Sequence, residues 1–187
     1  VLVERRAKKE TGIRSVTCLN GEKMVAAIDK GIVDRELLDK AIAAVPHNEK
    51  KSIAELNADN TGLFVLEYAD GFLGTVLMLQ GITAGFGAAI RRTDGTVQAC
   101  EGEGRTEPRF PHFSYLVHAI ERMIETGKPS YPVERTLLTS GVLDVGLRSR
   151  RDNGTPRKTP ELMINYDVVD YPYAEKVTLP GEKEPWK

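Results

Sequence analysis

Two helical repeats of apolar residues, separated by a Gly-Lys-Pro break, constrain the fold of this chain more than any other feature of its sequence. In the first repeat, apolar residues recur three and four positions apart, the spacing that places side chains on one face of an α-helix. Gly127 suits the left-handed position that closes a helix, and Pro129 prevents the helix from continuing. The apolar stripe consists of Phe113, Leu116, Val117, Ile120, Met123 and Ile124.

A second helix is predicted directly after the break. Pro132 fits the first turn of a helix, and Glu134 is favourable near its positive end. Gly141 and Gly146 each cost a helix up to ~1 kcal/mol relative to alanine, so we expect another backbone to approach closely there. The predicted buried side consists of Leu137, Leu138, Gly141, Val142 and Val145. We expect both helices to cover a sheet.

The middle of the chain predicts that sheet. Residues 63–81 and 87–102 each form a hairpin pattern that turns at an Asp-Gly pair, the favoured pair for a type I′ turn. Residues 74–80 are apolar on both faces, so we expect this strand to lie inside the sheet with something packed on it. A last strand is predicted over residues 161–169.

The first 45 residues predict a strand, a turn, a second strand over 15–19, and then helices. A short first helix is closed by Gly31, and Asp34 is a suitable N-cap for the helix that Pro46 ends. The predicted apolar faces of the two helices are Met24, Val25 and Ile28 in the first, and Leu37, Leu38, Ala41, Ile42 and Val45 in the second.

Together these patterns predict an α+β fold, with an open, mostly antiparallel sheet and helices packed on one face. A chain of 187 residues is the natural size of one domain. We assign residues 1–168 to a single α+β domain and residues 169–187 to an extended C-terminal tail. Because Val1 lies directly in a predicted strand, we expect the chain to be a piece of something longer.

Composition and charge exclude several classes of function. A net charge of −1 gives no general attraction to nucleic acid or to an anionic membrane. No apolar run approaches the ~20 residues that span a bilayer, and the first residues lack the pattern of a signal peptide. Cys18 and Cys100 are far apart and form no Cys-x-x-Cys motif, which favours a reduced protein in the cytoplasm.

Local motifs for catalysis or cofactor binding are weak. Gly85-Phe86-Gly87 follows a strand, but a dinucleotide loop needs a helix directly after it, and the sequence turns at residues 91–95 instead. We therefore predict no cofactor-binding residue in this chain. Residues 148–158 hold five cations without interleaved aromatic residues, so we interpret them as a solvated loop rather than a nucleic-acid site.

The three histidines predict no metal site. His47 lies in a polar connector, and His112 and His118 are six residues apart, on nearly opposite sides of a helix. His112 begins the first long helix, where the positive helix end and an imidazole can meet an anionic or hydroxylated ligand. Together with Arg109 and Tyr115 it forms our candidate substrate-binding set, with the polar loop 101–110 as a lid. The competing interpretation is a solvated His112 and a plain connecting loop.

Residues 113–154 resemble the helical segment in C-terminal domains of the glucose–fructose oxidoreductase/inositol dehydrogenase (Gfo/Idh/MocA) family. That family has a helix with a Gly-x-Pro break, a second helix, and an exit similar to the stretch from Ser149 to Asn153-Gly154 here. The hairpins at 63–79 and 87–102 look like its sheet strands, and the segments 10–16 and 131–141 are similar to an uncharacterised bacterial branch. The resemblance covers about residues 1–168.

The resemblance implies the substrate-binding and oligomerisation domain of an NAD(P)-dependent oxidoreductase that acts on a sugar, a polyol or a related hydroxylated compound. An N-terminal Rossmann domain, missing from this chain, would bind NAD or NADP. The sheet would close the substrate pocket with one face and form a homodimer or tetramer with the other, through strands such as 63–68 and 73–80. The family's Gly-rich loop, Glu-Lys-Pro lysine and Asp-x-x-x-His motif are absent here, so we expect this chain alone to be inactive.

Two alternatives to this function remain open. One is a stand-alone, non-catalytic module that binds a sugar or a protein partner through its sheet. The other is an unrelated small enzyme that uses His112, Tyr115 and Glu134 for acid–base chemistry. A strand–Gly-x-Gly-x-x-Gly–helix unit upstream of Val1 in the natural polypeptide would separate the oxidoreductase from both.

Overall fold

The computed structural model of this chain describes residues 3–45, 52–56, 61–102 and 113–169. The α-helices of this part are α1 (Gly21–Asp29), α2 (Arg35–Ala43), α3 (Phe113–Thr126) and α4 (Val133–Arg151). The strands are β1 (Lys9–Glu10), β2 (Ile13–Leu19), β3 (Thr61–Tyr68), β4 (Leu73–Leu79), β5 (Phe86–Arg91), β6 (Val97–Gly102), β7 (Arg157–Lys158) and β8 (Tyr166–Asp167). Single 3-10 turns lie at Glu4–Ala7, Ile53–Glu55 and Pro160–Leu162.

The predicted α+β class with antiparallel pairing is confirmed. The main sheet has the strand order β4-β3-β2-β7, and β1 pairs with β8 and β5 with β6 in two separate ribbons. Every one of these pairings is antiparallel. The two Asp-Gly hairpins are β3–β4 and β5–β6, as the sequence predicts.

Strand alternation divides the core into two layers. Val16 lies opposite Leu66 in the β2–β3 register, and both belong to a cluster with Leu138 and Val145 of α4. Leu63, which is fully buried, points to the other face and packs with α1 and α2. The long helix α4 thus covers one face of the sheet, as expected, and the structure adds α1 on the opposite face.

The hairpin turns differ from the predicted type I′. Of the residues at their tips, only Gly71 and Gly95 have positive φ, whereas a type I′ turn needs two such residues. Gly71 N–H donates to Tyr68 O and Tyr68 N–H to Phe72 O, the pattern of a type I turn followed by a bulge glycine. The aspartate stabilises this turn, because Asp70 Oδ1 accepts the N–H of Phe72 at 3.1 Å.

Three other expectations about strands were wrong. The apolar strand β4 lies at the end of the main sheet in the described chain, not inside it, and Val76 and Met78 are half exposed. Most of residues 161–169 form a 3-10 turn and irregular backbone, and only Tyr166–Asp167 pairs, with β1. The N-terminal segment begins as the 3-10 turn Glu4–Ala7 rather than a strand; Val1 lies outside the described residues.

Helices α1 and α2 follow the predicted boundaries. Gly31 follows the end of α1 and has a positive φ, and its N–H donates to Ile28 O. Asp34 caps α2 through the N–H of Leu37 at 3.2 Å, and the same carboxylate accepts a hydrogen bond from Arg91 of β5 at 2.7 Å. The cap of α2 therefore also ties this helix to the β5–β6 ribbon.

The two glycines of α4 do permit a close approach, but of side chains rather than of a backbone. A Cβ at Gly146 would lie 2.1 Å from Cε1 of Phe64, and one at Gly141 would lie 2.4 Å from Cδ2 of Leu162. Of the predicted buried side, Leu138 and Val145 are buried, whereas Leu137 is 56% exposed and was predicted wrongly.

Helix α3 has the predicted boundaries but not the predicted packing. Gly127 closes it in the left-handed region, and its N–H donates to Met123 O. None of its residues is buried, and none belongs to either hydrophobic cluster of the described chain. Only α4 of the predicted helical pair covers the sheet.

Candidate functional site

The structure describes only some of the predicted pocket residues. Arg109 and His112, together with most of the predicted lid, lie outside the described residues. Tyr115 is half-buried in the first turn of α3, and Glu134 is exposed at the start of α4. Nothing in the described chain brings Tyr115 and Glu134 into hydrogen-bond contact, so the acid–base arrangement gains no support from geometry.

Of the three histidines, His118 lies within the described residues and is paired on the surface. His118 Nδ1 lies 3.0 Å from Glu121 Oε2, one helical turn further along α3. His47 lies outside the described residues. Among the described residues, no group of three or more histidine, cysteine or acidic side chains is placed to hold a metal ion.

Three cations of the basic segment 148–158 form ion pairs within the fold. Arg148 pairs with Asp144 at 3.0 Å, one turn earlier on α4. Arg151 and Arg157 both pair with Asp152, the C-cap residue of α4. Positive side chains at the negative end of a helix are expected there. The segment is not the solvated loop that the sequence predicted, because residues 148–151 form the last turn of α4 and Arg157–Lys158 form β7.

A polar network that the sequence did not predict lies at the turn end of the β3–β4 hairpin. Arg6 donates from Nε and Nη2 to the two carboxylate oxygens of Asp70, at 3.0 and 3.1 Å. Its guanidinium carbon lies 4.3 Å from the ring centroid of Tyr68 and 4.9 Å from that of Phe72. Cation–π contact and a bidentate ion pair therefore fix the N-terminal 3-10 turn to the sheet.

Two buried carboxylates extend this network. Glu4 is 5% exposed and accepts a hydrogen bond from the hydroxyl of Tyr166 at 2.8 Å. Glu10 is 2% exposed and accepts the backbone N–H groups of Thr11 and Gly12 at 2.8 and 2.9 Å. Buried carboxylates are stable only with such partners. The network joins the first described residues to β8, near the end of the described chain.

The surroundings of this network shift the pKa of three of its groups. Burial, and then the negative charge of Glu10, raise the pKa of Tyr68 to about 12. Burial and the hydrogen bond to Glu4 raise the pKa of Tyr166 as well. The hydrogen bond from Arg6 lowers the pKa of Asp70. At neutral pH the tyrosines are protonated and Asp70 is ionised, which agrees with the hydrogen bonds that Tyr166 donates to Glu4 and that Asp70 accepts from Arg6.

A small cavity of about 360 Å³ lies between α1 and the 3-10 turn at Ile53–Glu55. Its wall is mostly aliphatic, and the carboxylates of Glu22 and Asp29 are its charged groups. The hydroxyl of Thr61 also lines it and already accepts the N–H of Gly21 at 3.3 Å. The cavity has the size of a small-molecule site but contains no nucleophile with an adjacent base.

The surroundings of Cys18 do not activate its thiol. Cys18 is buried, and burial raises the pKa of its thiol, which makes it less reactive. Its backbone N–H donates to the buried hydroxyl of Ser149, which in turn donates to Thr155 O. Ser149 therefore fastens the end of α4 to β2. Cys100 is exposed on β6.

The most unusual feature of the described surface is apolar. The six side chains of the α3 stripe (Phe113, Leu116, Val117, Ile120, Met123 and Ile124) are 41 to 74% exposed. A single domain rarely exposes a contiguous apolar area of more than a few hundred Å² unless that area binds something. The α3 stripe is therefore a candidate interaction surface.

A second exposed apolar area lies on the body of the domain. Val76 and Met78 of β4 lie opposite Phe64 and Gly62, and hence on the sheet face that α4 covers at β2 and β3. Val76 and Met78 are 50 and 57% exposed.

The sequence carried a signal for this second area, because residues 74–80 are apolar on both faces of the strand. Helix α4 has leucines at 143 and 147 in addition to its buried side, so its apolar residues are spread around its circumference.

No helix in the described part of the chain is long and apolar enough to cross a membrane. Comparisons with protein-family models, with curated proteins and with solved structures found no match to this chain.

Proposed function

We propose that this chain is the substrate-binding and oligomerisation domain of a Gfo/Idh/MocA-like NAD(P)-dependent oxidoreductase. The observation that carries the assembly role is the exposed α3 stripe, a complete amphipathic helix without a buried residue. The oxidoreductase role rests on the resemblance of residues 1–168 to C-terminal domains of that family. An antiparallel sheet with α4 on one face agrees with such a domain.

The substrate in this proposal is a sugar, a polyol or a related hydroxylated compound, and NAD or NADP is bound by a separate Rossmann domain. Arg109, His112 and Tyr115 are the residues we propose for substrate contact. The protein acts in the cytoplasm, without a nucleic-acid or membrane partner. Assembly is as a homodimer or tetramer, and light scattering of the chain at tens of micromolar is expected to return a multiple of 20.7 kDa.

The assembly surface differs from the one that strand patterns alone suggest. Of residues 63–68, Leu63 and Leu66 are buried within the chain and unavailable to a partner. In β4, by contrast, apolar side chains such as Val76 and Met78 are exposed. The free part of the sheet is thus its β4 side.

The natural polypeptide tests the oxidoreductase proposal. Its intact mass is expected to exceed 20.7 kDa by at least a further domain of about 100–150 residues. Incubated with sugars and polyols, it is expected to reduce NAD or NADP, followed at 340 nm. The variant His112→Ala, Tyr115→Phe is expected to lose turnover or substrate affinity while it stays folded. A natural polypeptide of 20.7 kDa without dinucleotide binding would overturn the proposal.

A stand-alone binding module is the second candidate, and the cavity beside α1 favours it. Its volume of about 360 Å³ and its aliphatic wall suit a small ligand that is bound without being chemically changed. Saturable sugar binding by the 20.7 kDa chain, unchanged by His112→Ala but lost on Ala26→Trp in the cavity wall, would support this module instead.

A further inference from the structure

We propose that the cavity beside α1 binds a linear aliphatic diamine. One ammonium group lies at Glu22, the other at Asp29, and the methylene chain follows the aliphatic wall between them. This inference goes beyond the proposed oxidoreductase role and does not depend on it, since the residues that line the cavity are not those proposed for substrate contact. For the stand-alone module it replaces a sugar by a different class of ligand.

One side of α1 has acidic ends and an aliphatic middle along the cavity. Glu22, Val25, Ala26 and Asp29 line the cavity, and they lie at positions i, i+3, i+4 and i+7, the spacing that places side chains on one side of a helix. The two acidic residues are therefore about 10 Å apart along the helix axis. A ligand that matches this side has a positive charge at each end and an aliphatic middle.

The opposite wall of the cavity is aliphatic and held in place. Ile53 and Leu56 line it, and both also pack against the hydrophobic cluster beneath α1. Glu55 fixes the 3-10 turn between them, because its carboxylate accepts the N–H of Ser52 at 2.7 Å. Methylene groups of a ligand that contact this wall are removed from water, which favours binding.

Both carboxylates are available to a ligand. Within the described chain, neither Glu22 nor Asp29 has an ion pair or a side-chain hydrogen bond, and no lysine or arginine lies three or four positions from either. Asp29 is the last residue of α1, at the negative end of the helix dipole, and the last turn of this helix has no basic residue. A bound ammonium group would supply positive charge where the fold has none.

A sugar and a metal ion match the cavity less well. The hydroxyl groups of a sugar would lie against Ile53 and Leu56, which offer them no hydrogen bond. Among the described residues, no group of three or more histidine, cysteine or acidic side chains is placed to hold a metal ion. A metal ion would also leave the aliphatic wall without a partner.

Titration calorimetry of the 187-residue chain with octamethylenediamine, a linear chain with an amine at each end, provides the first test. We expect one saturable site that is weakened at least 10-fold by Glu22→Gln and by Asp29→Asn. The matched control Glu125→Gln removes an exposed carboxylate of α3 and is expected to change the affinity less than 2-fold. Equal weakening by all three variants would show a general attraction to negative charge and overturn the site.

Two further amines separate the contributions of charge and chain. Octylamine has the aliphatic chain but one amine, and ethylenediamine has two amines without the chain. We expect each to bind at least 10-fold more weakly than octamethylenediamine. If octylamine binds as tightly as the diamine, the second carboxylate has no role and the proposal is wrong.

Methyl NMR locates the bound diamine. We expect the methyl signals of Val25, Ile53 and Leu56 to shift, and those of Leu143 on α4, across the sheet, to stay unchanged. Ala26→Trp fills the cavity from the exposed side of α1 and should abolish these shifts, while circular dichroism shows that the helices remain. Shifts confined to other residues, or glucose binding without diamine binding, would overturn the proposal. Dinucleotide reduction by the natural polypeptide is independent of these outcomes and tests the oxidoreductase role separately.

Discussion

At the scale of single residues, the N-terminal end of the domain is held by one arginine between two aromatic rings. Arg6 contacts Tyr68 and Phe72 and forms a bidentate pair with Asp70. Tyr68 itself is 6% exposed and lies near the carboxylate of Glu10, which makes its ionised form unfavourable. The free energy needed to ionise this tyrosine in the folded protein can be measured.

We predict that alkaline pH destabilises the protein through Tyr68. Its pKa is raised from 10.0 to about 12, so the stabilisation it contributes is complete below pH 10.0 and is lost as the pH rises to about 12. A shift of this size corresponds to roughly 3 kcal/mol. Urea unfolding over this range should show a steeper loss of stability in the wild type than in Tyr68→Phe. Equal slopes would contradict the prediction.

Gly146 is a position where a single methyl group is too large. A Cβ there would lie 2.1 Å from Cε1 of Phe64, so the ring must move. Overpacking costs typically about 1–3 kcal/mol, which exceeds the ~1 kcal/mol that alanine gains in a helix. We predict a lower urea midpoint for Gly146→Ala. Adding Phe64→Leu should recover part of the loss; if the two effects are simply additive, the contact is not the cause.

At the scale of elements, Asp34 joins α2 to the β5–β6 ribbon. Asp34 caps α2 through Leu37 N–H and accepts a hydrogen bond from Arg91, whose guanidinium also pairs with Glu36 at 2.9 Å. Gly87 of β5 adds close backbone contact, since a Cβ there would lie 2.2 Å from Ala41 O. The glycine pair at 85 and 87 therefore serves packing against α2.

We predict that Asp34→Ala lowers the melting temperature by about 2–4 °C, because it removes both the helix cap and the contact to Arg91. The matched control is Asp39→Ala on the same helix, which removes only an exposed pair with Arg35 and should change the melting temperature little. The hydrogen bond from Arg91 lowers the pKa of Asp34, so this stabilisation should disappear as acid protonates the carboxyl group. Identical melting of the two variants would refute the prediction.

At the scale of the whole molecule, the described domain has more apolar surface than its own core uses. On the sheet face that α4 covers, residues of β2 and β3 are buried against this helix, whereas Val76 and Met78 of β4 are half exposed. Helix α3 carries a stripe that no described element covers. Both features agree with a domain that is completed by association.

We predict that the 187-residue chain alone binds neither NAD nor NADP. Gly85-Phe86-Gly87 leads into the strand β5, and β5 leads through a hairpin into β6, so no helix N-terminus faces a pyrophosphate at this motif. Titration calorimetry should show no saturable heat with either dinucleotide at micromolar concentration. Saturable binding would mean that a nucleotide site exists elsewhere in the chain.

The sequence by itself determined the local structure of this protein. The 3.6-residue period, Gly127 and Pro129 determined α3, Asp34 determined the start of α2, and the Asp-Gly pairs placed both hairpins. These features depend on interactions within a few residues, so they can be recognised without knowledge of the fold. The turn type was missed because the aspartate accepts a backbone N–H two residues later, which favours a bulged turn.

Only the tertiary structure decided which apolar faces are buried. The apolar stripe of α3 is much more regular in sequence than that of α4, yet Leu138 of α4 is 5% exposed and Ile124 of α3 is 74% exposed. Burial depends on which surfaces the sheet order brings together, and those contacts join residues more than a hundred positions apart, such as Cys18 and Ser149. Periodicity shows that a face needs a partner, but only three-dimensional packing shows whether the chain itself supplies one.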